Sequence, residues 1–242
     1  LFLGIQVLLM KWIEHNPSFV EVYYSMGIYP YISSLLRILF GWISVSIGDL
    51  FIFFAVFYSI YFIYKLVLTR FKNFFSKLLG ITSFISVIYF FFYFLWGLNY
   101  YREPLSKNLG YQTTSYSNKE LIDVSEYLIS KLNNAHFVIT KSDSTMIKVP
   151  YSHQEIYSLA RNGFNELAKE MPQFTYKYGV AKSSLMSLFQ SYNGTSGYFN
   201  PFSGEAQVNS KIPTTSLPTT TCHEMAHQIG FAAENEANFV GF

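Results

Sequence analysis

The sequence predicts a membrane-helical N-terminal region followed by an α+β extramembrane domain. Long apolar stretches rich in Phe, Leu, Ile and Tyr occupy the first hundred residues. From about residue 102 onward the composition is an ordinary mixture of charged, polar and apolar side chains, in which helix-capping patterns alternate with turn-rich segments. We therefore expect a transmembrane region over residues 1–101 and an extramembrane domain over residues 102–242.

Three membrane spans are expected in the first region. Their predicted ranges are 1–13, 48–69 and 78–101. The stretch from Leu78 to Tyr101 has no charged residue and is long enough to cross a hydrocarbon core of about 30 Å. The second span contains one charge, Lys65, close enough to its end for the ammonium group to reach the headgroups. Residues 1–10 are apolar but too short to cross a bilayer, so we expect the first helix to begin before this sequence does.

The stretch Ile38–Gly48, which precedes the second span, allows two arrangements. It is apolar and is flanked by Arg37 and Asp49. It could extend the second span, or it could lie in the membrane interface with Trp42 at the level of the headgroups. Pro30 is expected to break the chain before this stretch.

The charge pattern predicts the orientation in the membrane. The basic residues Lys65, Arg70, Lys72 and Lys77 cluster between the second and third spans, and no acidic residue lies among them. Because cytoplasmic loops carry an excess of Lys and Arg, we expect this loop inside and the C-terminal domain outside the cytoplasm. The formal net charge of +2 is too small to indicate a nucleic acid as a partner.

The extramembrane domain is predicted to combine helices with short strands. Two capping boxes, in which Ser precedes Glu by three residues, predict helices over residues 117–133 and 152–169. Strand signals follow, with loose alternation at 174–180 and a short strand at 205–209. Pro218 is expected in the first turn of the next helix.

That next helix carries the pattern His223-Glu224-Met225-Ala226-His227. Two histidines four residues apart lie on one face of a helix, so both imidazoles can bind a single Zn²⁺. Glu224 points near the metal without binding it, and can accept a proton from a metal-bound water. Cys222 is the one cysteine of the chain and points about 100° away from its neighbour, so we expect it to be packed rather than to bind metal.

Catalytic zinc usually has three protein ligands and a water molecule in the open fourth position. On an unbroken helix Glu234 would lie about 16 Å beyond His223, too far to share an ion with it. The chain must therefore turn, and Gly230 is the expected end of the helix. A second helix that starts near Ala232 could present either Glu234 or Glu236 to the metal.

The pattern resembles the zincin metallopeptidases, specifically the gluzincins, in which a glutamate on the next helix is the third ligand. In that branch an Asp four residues beyond the glutamate often supports a histidine. The stretch Glu234–Asn238 looks like this element with Asn in the Asp position, which implies that Glu234 is the ligand and Asn238 the supporting group. The replacement of Asp by Asn keeps a hydrogen-bond acceptor but adds no charge.

More of the chain resembles the DUF3810 family of membrane proteins. The resemblance rests on three stretches and on the hydrophobic N-terminal third. The stretches are Trp96–Arg102, Phe202–Asn209 and Cys222–Phe239. It implies an architecture in which membrane helices precede a zincin-like domain, and it assigns no activity.

We expect a membrane-anchored zinc metallopeptidase that hydrolyses peptide or protein substrates at the outer surface of the bilayer. Phe202–Asn209 is expected to be an edge strand that runs along the cleft and pairs with an extended substrate. Tyr192 and Tyr198 are candidates for stabilising the oxyanion. His136 and His153 are expected to lie away from the metal.

Two alternatives stay open at this stage. The first is a non-catalytic zinc-binding membrane module, against which the general base Glu224 argues. The second is a metallohydrolase that cleaves a non-peptide bond of the cell envelope. Intramembrane cleavage is disfavoured, because residues 211–228 are rich in Thr, Ser and Pro. We also expect the chain to continue beyond Phe242, since the second helix of the site has only just begun there.

Overall fold

The computed structural model describes residues 2–70, 72–111, 115–179 and 181–242. Residues 1–103 and 153–242 form one compact unit, and residues 104–152 form another. The described fold is mostly helical, with one small sheet. The helices of the first hundred residues are α1 (Phe2–Glu14), α2 (Pro17–Phe19), a π-helix (Val20–Ile28), α3 (Tyr29–Phe40), α4 (Ile47–Leu68), α5 (Phe74–Leu95) and a 3₁₀-helix (Gly97–Tyr101).

Helices α4 and α5 have 22 residues each and are long and apolar enough to cross a membrane. Their large side chains face outward, as at Phe57 and Phe75. α4 lies within one residue of the predicted range 48–69. α5 begins four residues before the predicted start at Leu78 and ends six residues before Tyr101, because the chain leaves the α-helix at Trp96 and continues as a tighter 3₁₀-helix.

The stretch Ile38–Gly48 does not extend α4. It is divided between the end of α3 and the start of α4, and the hydroxyl of Ser46 caps α4 by accepting a hydrogen bond from the Asp49 amide at 2.9 Å. Pro30 does not break the chain as expected. The π-helix leads directly into α3, and Pro30 takes a place in the first turn of α3, where its missing N–H is tolerated.

Helix α3 has the reverse of the polarity that a soluble protein's surface helix shows. Its buried face carries Ser33 and Arg37, whereas its exposed face carries large apolar side chains. Those apolar residues are Tyr31, Leu35, Ile38 and Leu39, with Trp42 just beyond the helix. Helix α1 also buries one polar side chain, Gln6, which exchanges two hydrogen bonds with Ser86 of α5, beside the apolar Met10 and Ile13. Such helices are suited to apolar surroundings, in which polar groups face the protein interior.

In the described part of residues 104–152 the helices are α6 (Leu105–Asn108) and α7 (Asn118–Thr140). The capping box predicted at Ser117 and Glu120 is present and opens α7. The helix runs seven residues beyond the predicted end at Asn133, because no Gly or Pro interrupts it before Lys141 adopts a left-handed conformation with φ of 56°.

The remaining elements surround the sheet. They are α8 (His153–Glu170), a 3₁₀-helix (Pro172–Phe174), β1 (Lys182–Ser183), α9 (Ser187–Asn193), β2 (Gly197–Asn200), β3 (Glu205–Val208), α10 (Leu217–Gln228) and α11 (Glu234–Gly241). α8 agrees with the prediction for 152–169. No strand forms over the described part of 174–180, since Tyr178 and Gly179 have φ of 59° and 76°; Val180 lies outside the described residues.

The described strands have the order β1-β3-β2, with β1 parallel and β2 antiparallel to β3. The short strand predicted near Glu205 is therefore present, but the prediction that it lies at an edge is wrong. β3 is hydrogen-bonded on both sides and all four of its residues are buried. An edge of the sheet belongs to β2, and α10 packs across β2 and β3 with Leu217, Met225 and Ala226 fully buried.

Candidate metal centre

Helix α10 carries both histidines and ends at Gln228, two residues before Gly230. Pro218 lies in its first turn, as predicted. Gly230 has φ of 98°, a conformation that favours glycine, and a Cβ built there would lie 2.9 Å from the Tyr29 ring. The chain then reverses, and α11 begins at Glu234 after an extended residue, Ala233. The helix end predicted at Gly230 is thus confirmed.

This reversal brings His223, His227 and Glu234 together. The two histidine Nε2 atoms are 3.1 Å apart. The Glu234 carboxylate oxygens lie 3.2 Å from Nε2 of His223 and 3.6 Å from Nε2 of His227. Donors at zinc-bond lengths of about 2.0–2.1 Å in a tetrahedral arrangement are separated by roughly 3.3 Å. One potential ligand atom from each of the three side chains lies within 4.8 Å of the other two, so the group could hold a metal ion.

Among the described residues, these three form the group of His, Cys and acidic side chains that could hold an ion. Glu236, the alternative on the same helix, does not belong to it. Cys222 also lies outside the group, as does His136, whose Nε2 interacts with the Thr145 carbonyl at 2.8 Å. The glutamate nearest the two imidazoles is thus Glu234.

His227 is oriented by the backbone. Its Nδ1 lies 2.7 Å from the carbonyl oxygen of Phe231, so Nδ1–H donates and Nε2 is left as the acceptor that faces His223 and Glu234. Burial lowers the pKa of His227, which favours the neutral form that a metal requires. Asn238 lines the cleft beside His223, but within the described contacts its side chain has no hydrogen bond to either imidazole.

Glu224 lies beside this group in a site from which water is largely excluded. Its side chain is 4% exposed, and its Oε2 has no hydrogen-bond partner among the described atoms. Burial, and then the negative charge of Glu234, raise the pKa of Glu224 well above its usual value. Strand β2 passes so close that a Cβ on Gly197 would lie 2.6 Å from Glu224 Oε1. Glycine at this position therefore leaves room for the carboxylate.

Side chains from the N-terminal helices cap the end of α10. Trp96 Nε1 donates to the His227 carbonyl at 2.9 Å. The Gln228 carbonyl accepts from the Tyr29 hydroxyl at 2.8 Å and from the Ser33 hydroxyl at 2.6 Å. The last carbonyls of a helix have no partner within it, so these bonds satisfy them in a buried place. These hydrogen bonds fix the position of the His227 backbone relative to α3 and α5.

Arg102 fixes the turn that follows. Its Nη1 donates to the Gly230 carbonyl at 3.0 Å, and its guanidinium lies 4.7 Å from the centre of the Phe231 ring. A buried ion pair of 2.7 Å with Glu21 balances its charge. The stretch Trp96–Arg102 thus holds the His227–Phe231 segment from two sides.

Two openings of about 290 and 330 Å³ meet at the candidate metal centre. Both are lined by Gly197, His223, Glu224 and Glu234. The larger one has aromatic walls from the end of α5, the 3₁₀-helix after it and β2, which are Phe92, Trp96, Tyr100, Tyr198 and Phe199. A substrate that reached the histidines here would lie along β2 and against these rings.

The family model for DUF3810, described as a protein of unknown function, matches residues 24–242. The chain belongs to the DUF3810 family. Neither a curated protein nor a solved structure matches it. The match includes the helices that cap α10 and all three side chains of the candidate metal centre.

Of the two tyrosines expected near the site of this DUF3810 protein, Tyr198 lines the larger opening, but its hydroxyl donates to Asp49 Oδ1 at 2.5 Å. Tyr192 is 85% exposed and lines neither opening. Tyr100 does line the cleft, and burial together with the charge of Glu234 raises its pKa. Its position in the stretch Trp96–Arg102 was the one signal that set it apart from the other tyrosines.

A second polar cluster, which sequence reasoning missed, joins the start of α4 to the sheet. We refer to Asp49, Lys182, Ser184, Tyr198 and Glu205 as the anchor cluster. Glu205 pairs with Lys182 at 2.5 Å and accepts from the backbone amide of Gly48 at 2.6 Å. Asp49 accepts from the Ser184 hydroxyl and the Leu185 amide. The sequence feature that could have indicated this cluster is Asp49, an acidic residue directly before a long apolar stretch.

Proposed function

We propose that this protein is a membrane-anchored zinc-dependent metallopeptidase with a zincin-like catalytic domain. The observation that carries the proposal is that the Nε2 atoms of His223 and His227, 3.1 Å apart, and the Glu234 carboxylate lie close enough together to hold one metal ion. A zincin-like arrangement is further supported by α10 lying on the sheet and by the antiparallel edge strand β2 beside Glu224.

The donor set suits zinc. Two neutral imidazole nitrogens and one carboxylate oxygen are borderline ligands that Zn²⁺ accepts, and three protein ligands are typical of catalytic rather than structural zinc. Glu234 is largely exposed, so the group is accessible from the cleft. When bound, zinc would supply Lewis acidity to a water molecule and to the substrate carbonyl.

The chain's own groups then have distinct tasks. Glu224 accepts the proton of the attacking water and later donates it to the leaving amine; its partnerless Oε2 is free for this exchange. The outer edge of β2 pairs with an extended substrate backbone. The Tyr100 hydroxyl donates to the oxygen on which negative charge develops. The aromatic walls reduce the access of bulk water.

In this proposal the catalytic domain lies at the outer membrane surface, which the charge pattern of the loops supports. α4 and α5 cross the bilayer, and α1 belongs to a further span. The basic loop around Arg70 and Lys72 lies in the cytoplasm by the positive-inside rule, which puts the ends of α4 and α5 that meet the domain outside. Phe92 and Trp96 form one wall of the cleft at the end of α5. Substrates are therefore peptides or protein segments that approach the bilayer surface.

Glu224→Gln in the full-length protein tests the chemistry. The amide keeps the shape of the side chain but cannot accept the proton, so peptide hydrolysis should fall by about 10²–10⁴-fold while zinc content is unchanged. Glu236→Gln is the matched control, because it makes the same change outside the group, and it should hydrolyse peptides at the wild-type rate. Zinc bound with no hydrolysis by the wild type would favour the non-catalytic zinc module.

A further inference from the structure

A second cavity lies beside the π-helix and α3, away from the histidines. Its volume is about 320 Å³, within the range of small-molecule sites. Its lining includes Arg37, Arg102 and Lys177, together with the hydroxyl residues Ser34 and Thr175. Among the described lining residues there is no Asp or Glu. The cavity is thus lined by cations and hydrogen-bond donors.

Arg37 lines this cavity with an incomplete set of hydrogen-bond and charge partners. Its side chain is 6% exposed, and its buried Nη1 has no hydrogen-bond partner among the described atoms. Nε donates to the Ser33 carbonyl at 3.2 Å, and the guanidinium lies 4.9 Å from the centre of the Tyr176 ring. In the described part of the chain no carboxylate forms an ion pair with it. A buried guanidinium with neither a carboxylate partner nor a full set of acceptors costs free energy.

Arg102 lines the same cavity, but unlike Arg37 it has a hydrogen-bond acceptor for each of its nitrogens. All three of its nitrogens have acceptors, two of them on Glu21. Its charge is therefore already balanced, and the net positive charge of the cavity comes from Arg37 and from the exposed Lys177. Arg37 lines the cavity, so an anion bound there would lie beside a guanidinium that has no carboxylate partner among the described residues.

The surroundings of the cavity favour an anion with an apolar part. Tyr31 lines the cavity and is 79% exposed, and it begins the apolar face of α3 that continues through Leu35 and Leu39. That face is suited to lipid, as is the outward surface of α4. A phosphate in the cavity would thus have guanidinium and ammonium groups on one side and apolar side chains at the opening.

We propose that this cavity binds a phosphate-ester anion through Arg37 and Lys177. A guanidinium can bind two oxygens of a phosphate at once, and Lys177 adds a second positive charge for its anionic group. The same chemistry is offered by the headgroup of an anionic phospholipid and by a soluble phosphate ester. This inference does not depend on the proposed peptidase activity, because none of His223, His227 and Glu234 lines the cavity.

Ligand binding to the full-length protein tests the proposal. In one arm, native mass spectrometry of the detergent-solubilised protein compares phosphatidylglycerol with zwitterionic phosphatidylcholine. In the other, isothermal titration uses sn-glycerol 3-phosphate. We expect one anion to bind per chain. A preference for phosphatidylglycerol identifies a lipid as the source, and binding of glycerol phosphate alone identifies a soluble ester; both results support the site.

Arg37→Met links the binding to the cavity. Methionine retains the apolar stem, which lies so near Gly179 that a Cβ built there would be 3.3 Å from it, but removes the charge. Binding should weaken about tenfold or more, the effect of one charge-assisted hydrogen bond. Arg70→Met, the same change in the α4–α5 loop, should leave it unaffected. Without ligand, Arg37→Met should be no less stable than the wild type, because a charge without a partner has been removed.

Two results would overturn the proposal. One is that the wild type binds phosphatidylglycerol no better than phosphatidylcholine and does not bind glycerol phosphate. The other is that Arg37→Met binds the anion as tightly as the wild type does. If Arg37→Met fails to fold, Lys177→Gln replaces it, since Lys177 is exposed. We then expect weaker binding by that variant, and unchanged binding would count against the site.

Discussion

The candidate metal centre and the anchor cluster both contain carboxylates, but the two groups differ in how many of their carboxylate oxygens have hydrogen-bond donors. In the anchor cluster every carboxylate oxygen of Asp49 and Glu205 has a donor. In the metal centre Glu224 Oε2 has no described partner, and the Glu234 carboxylate lies beside the Nε2 atoms of two imidazoles. A polar cluster that stabilises a fold completes its own hydrogen bonds, whereas one that binds something leaves acceptors directed at a common point.

The largest stability effect is expected in the anchor cluster. Glu205→Gln leaves Lys182 buried without its charge partner, which should cost about 3–5 kcal/mol. For a domain of this size the loss lowers the Tm by roughly 6–20 °C. Thermal unfolding of the metal-free protein in detergent measures it. Glu234→Gln serves as the comparison and should stay within about 0.5 kcal/mol of the wild type, because that carboxylate is largely exposed. Equal destabilisation by both variants would remove the distinction between the two clusters.

The next effect concerns catalysis at Tyr100. Tyr100→Phe removes a hydroxyl that faces the cleft near Glu234, so kcat should fall by about 10²–10³-fold with zinc content and KM little changed. Steady-state kinetics on a peptide substrate measures it. Tyr192→Phe is the control outside the cleft and should be neutral. A Tyr100→Phe enzyme with the kcat of the wild type would assign the oxyanion to another donor.

A smaller effect is expected where β2 meets Glu224. A Cβ at residue 197 would lie 2.6 Å from Glu224 Oε1 and 2.7 Å from the Gln207 carbonyl oxygen. Gly197→Ala should therefore destabilise the protein by about 1–3 kcal/mol and lower peptide hydrolysis by displacing Glu224. Gly163→Ala in α8 is the matched control, since nothing lies within 4 Å of its added Cβ, and it should stabilise the helix by about 0.5–1 kcal/mol. Unchanged hydrolysis in Gly197→Ala would show that Glu224 does not depend on this contact.

The smallest effect is expected at the cap of α10. Trp96→Phe keeps an aromatic wall but removes the hydrogen bond to the His227 carbonyl, which should cost about 0.5–1.5 kcal/mol. Thermal unfolding of the metal-free and zinc-loaded forms measures the loss in both. We expect the same loss in each, because the bond holds the backbone. A loss confined to the zinc-loaded form would instead mean that Trp96 acts on the metal.

The parts of the molecule that could be predicted from sequence are those set by local spacing. The face shared by His223 and His227, the helix end at Gly230 and the 22-residue length of α4 all follow from helix geometry and from the conformational freedom of glycine. The candidate third ligand could be narrowed to Glu234 or Glu236. Local spacing alone could not choose between them, because the choice depends on how α11 enters the turn.

The parts that could not be predicted depend on contacts between distant segments. The order of the strands put β3 in the centre and β2 at the edge, and no alternation within Glu205–Val208 reveals which neighbours a strand will have. Asp49 and Lys182 are separated by more than a hundred residues in sequence, and each alone resembles an ordinary charge. Tyr100 is one of 20 tyrosines in the sequence, and only the fold shows that it lines the cleft.

The central claim is that His223, His227 and Glu234 form one zinc site. The most direct test is the zinc content of the full-length protein purified in detergent and supplied with metal. Wild type, His227→Ala, Glu234→Ala and the control Glu236→Ala are compared by elemental mass spectrometry. The account predicts about one zinc per chain in the wild type and in Glu236→Ala, and its loss in the other two variants. No zinc in the wild type, or full occupancy in Glu234→Ala, would contradict it.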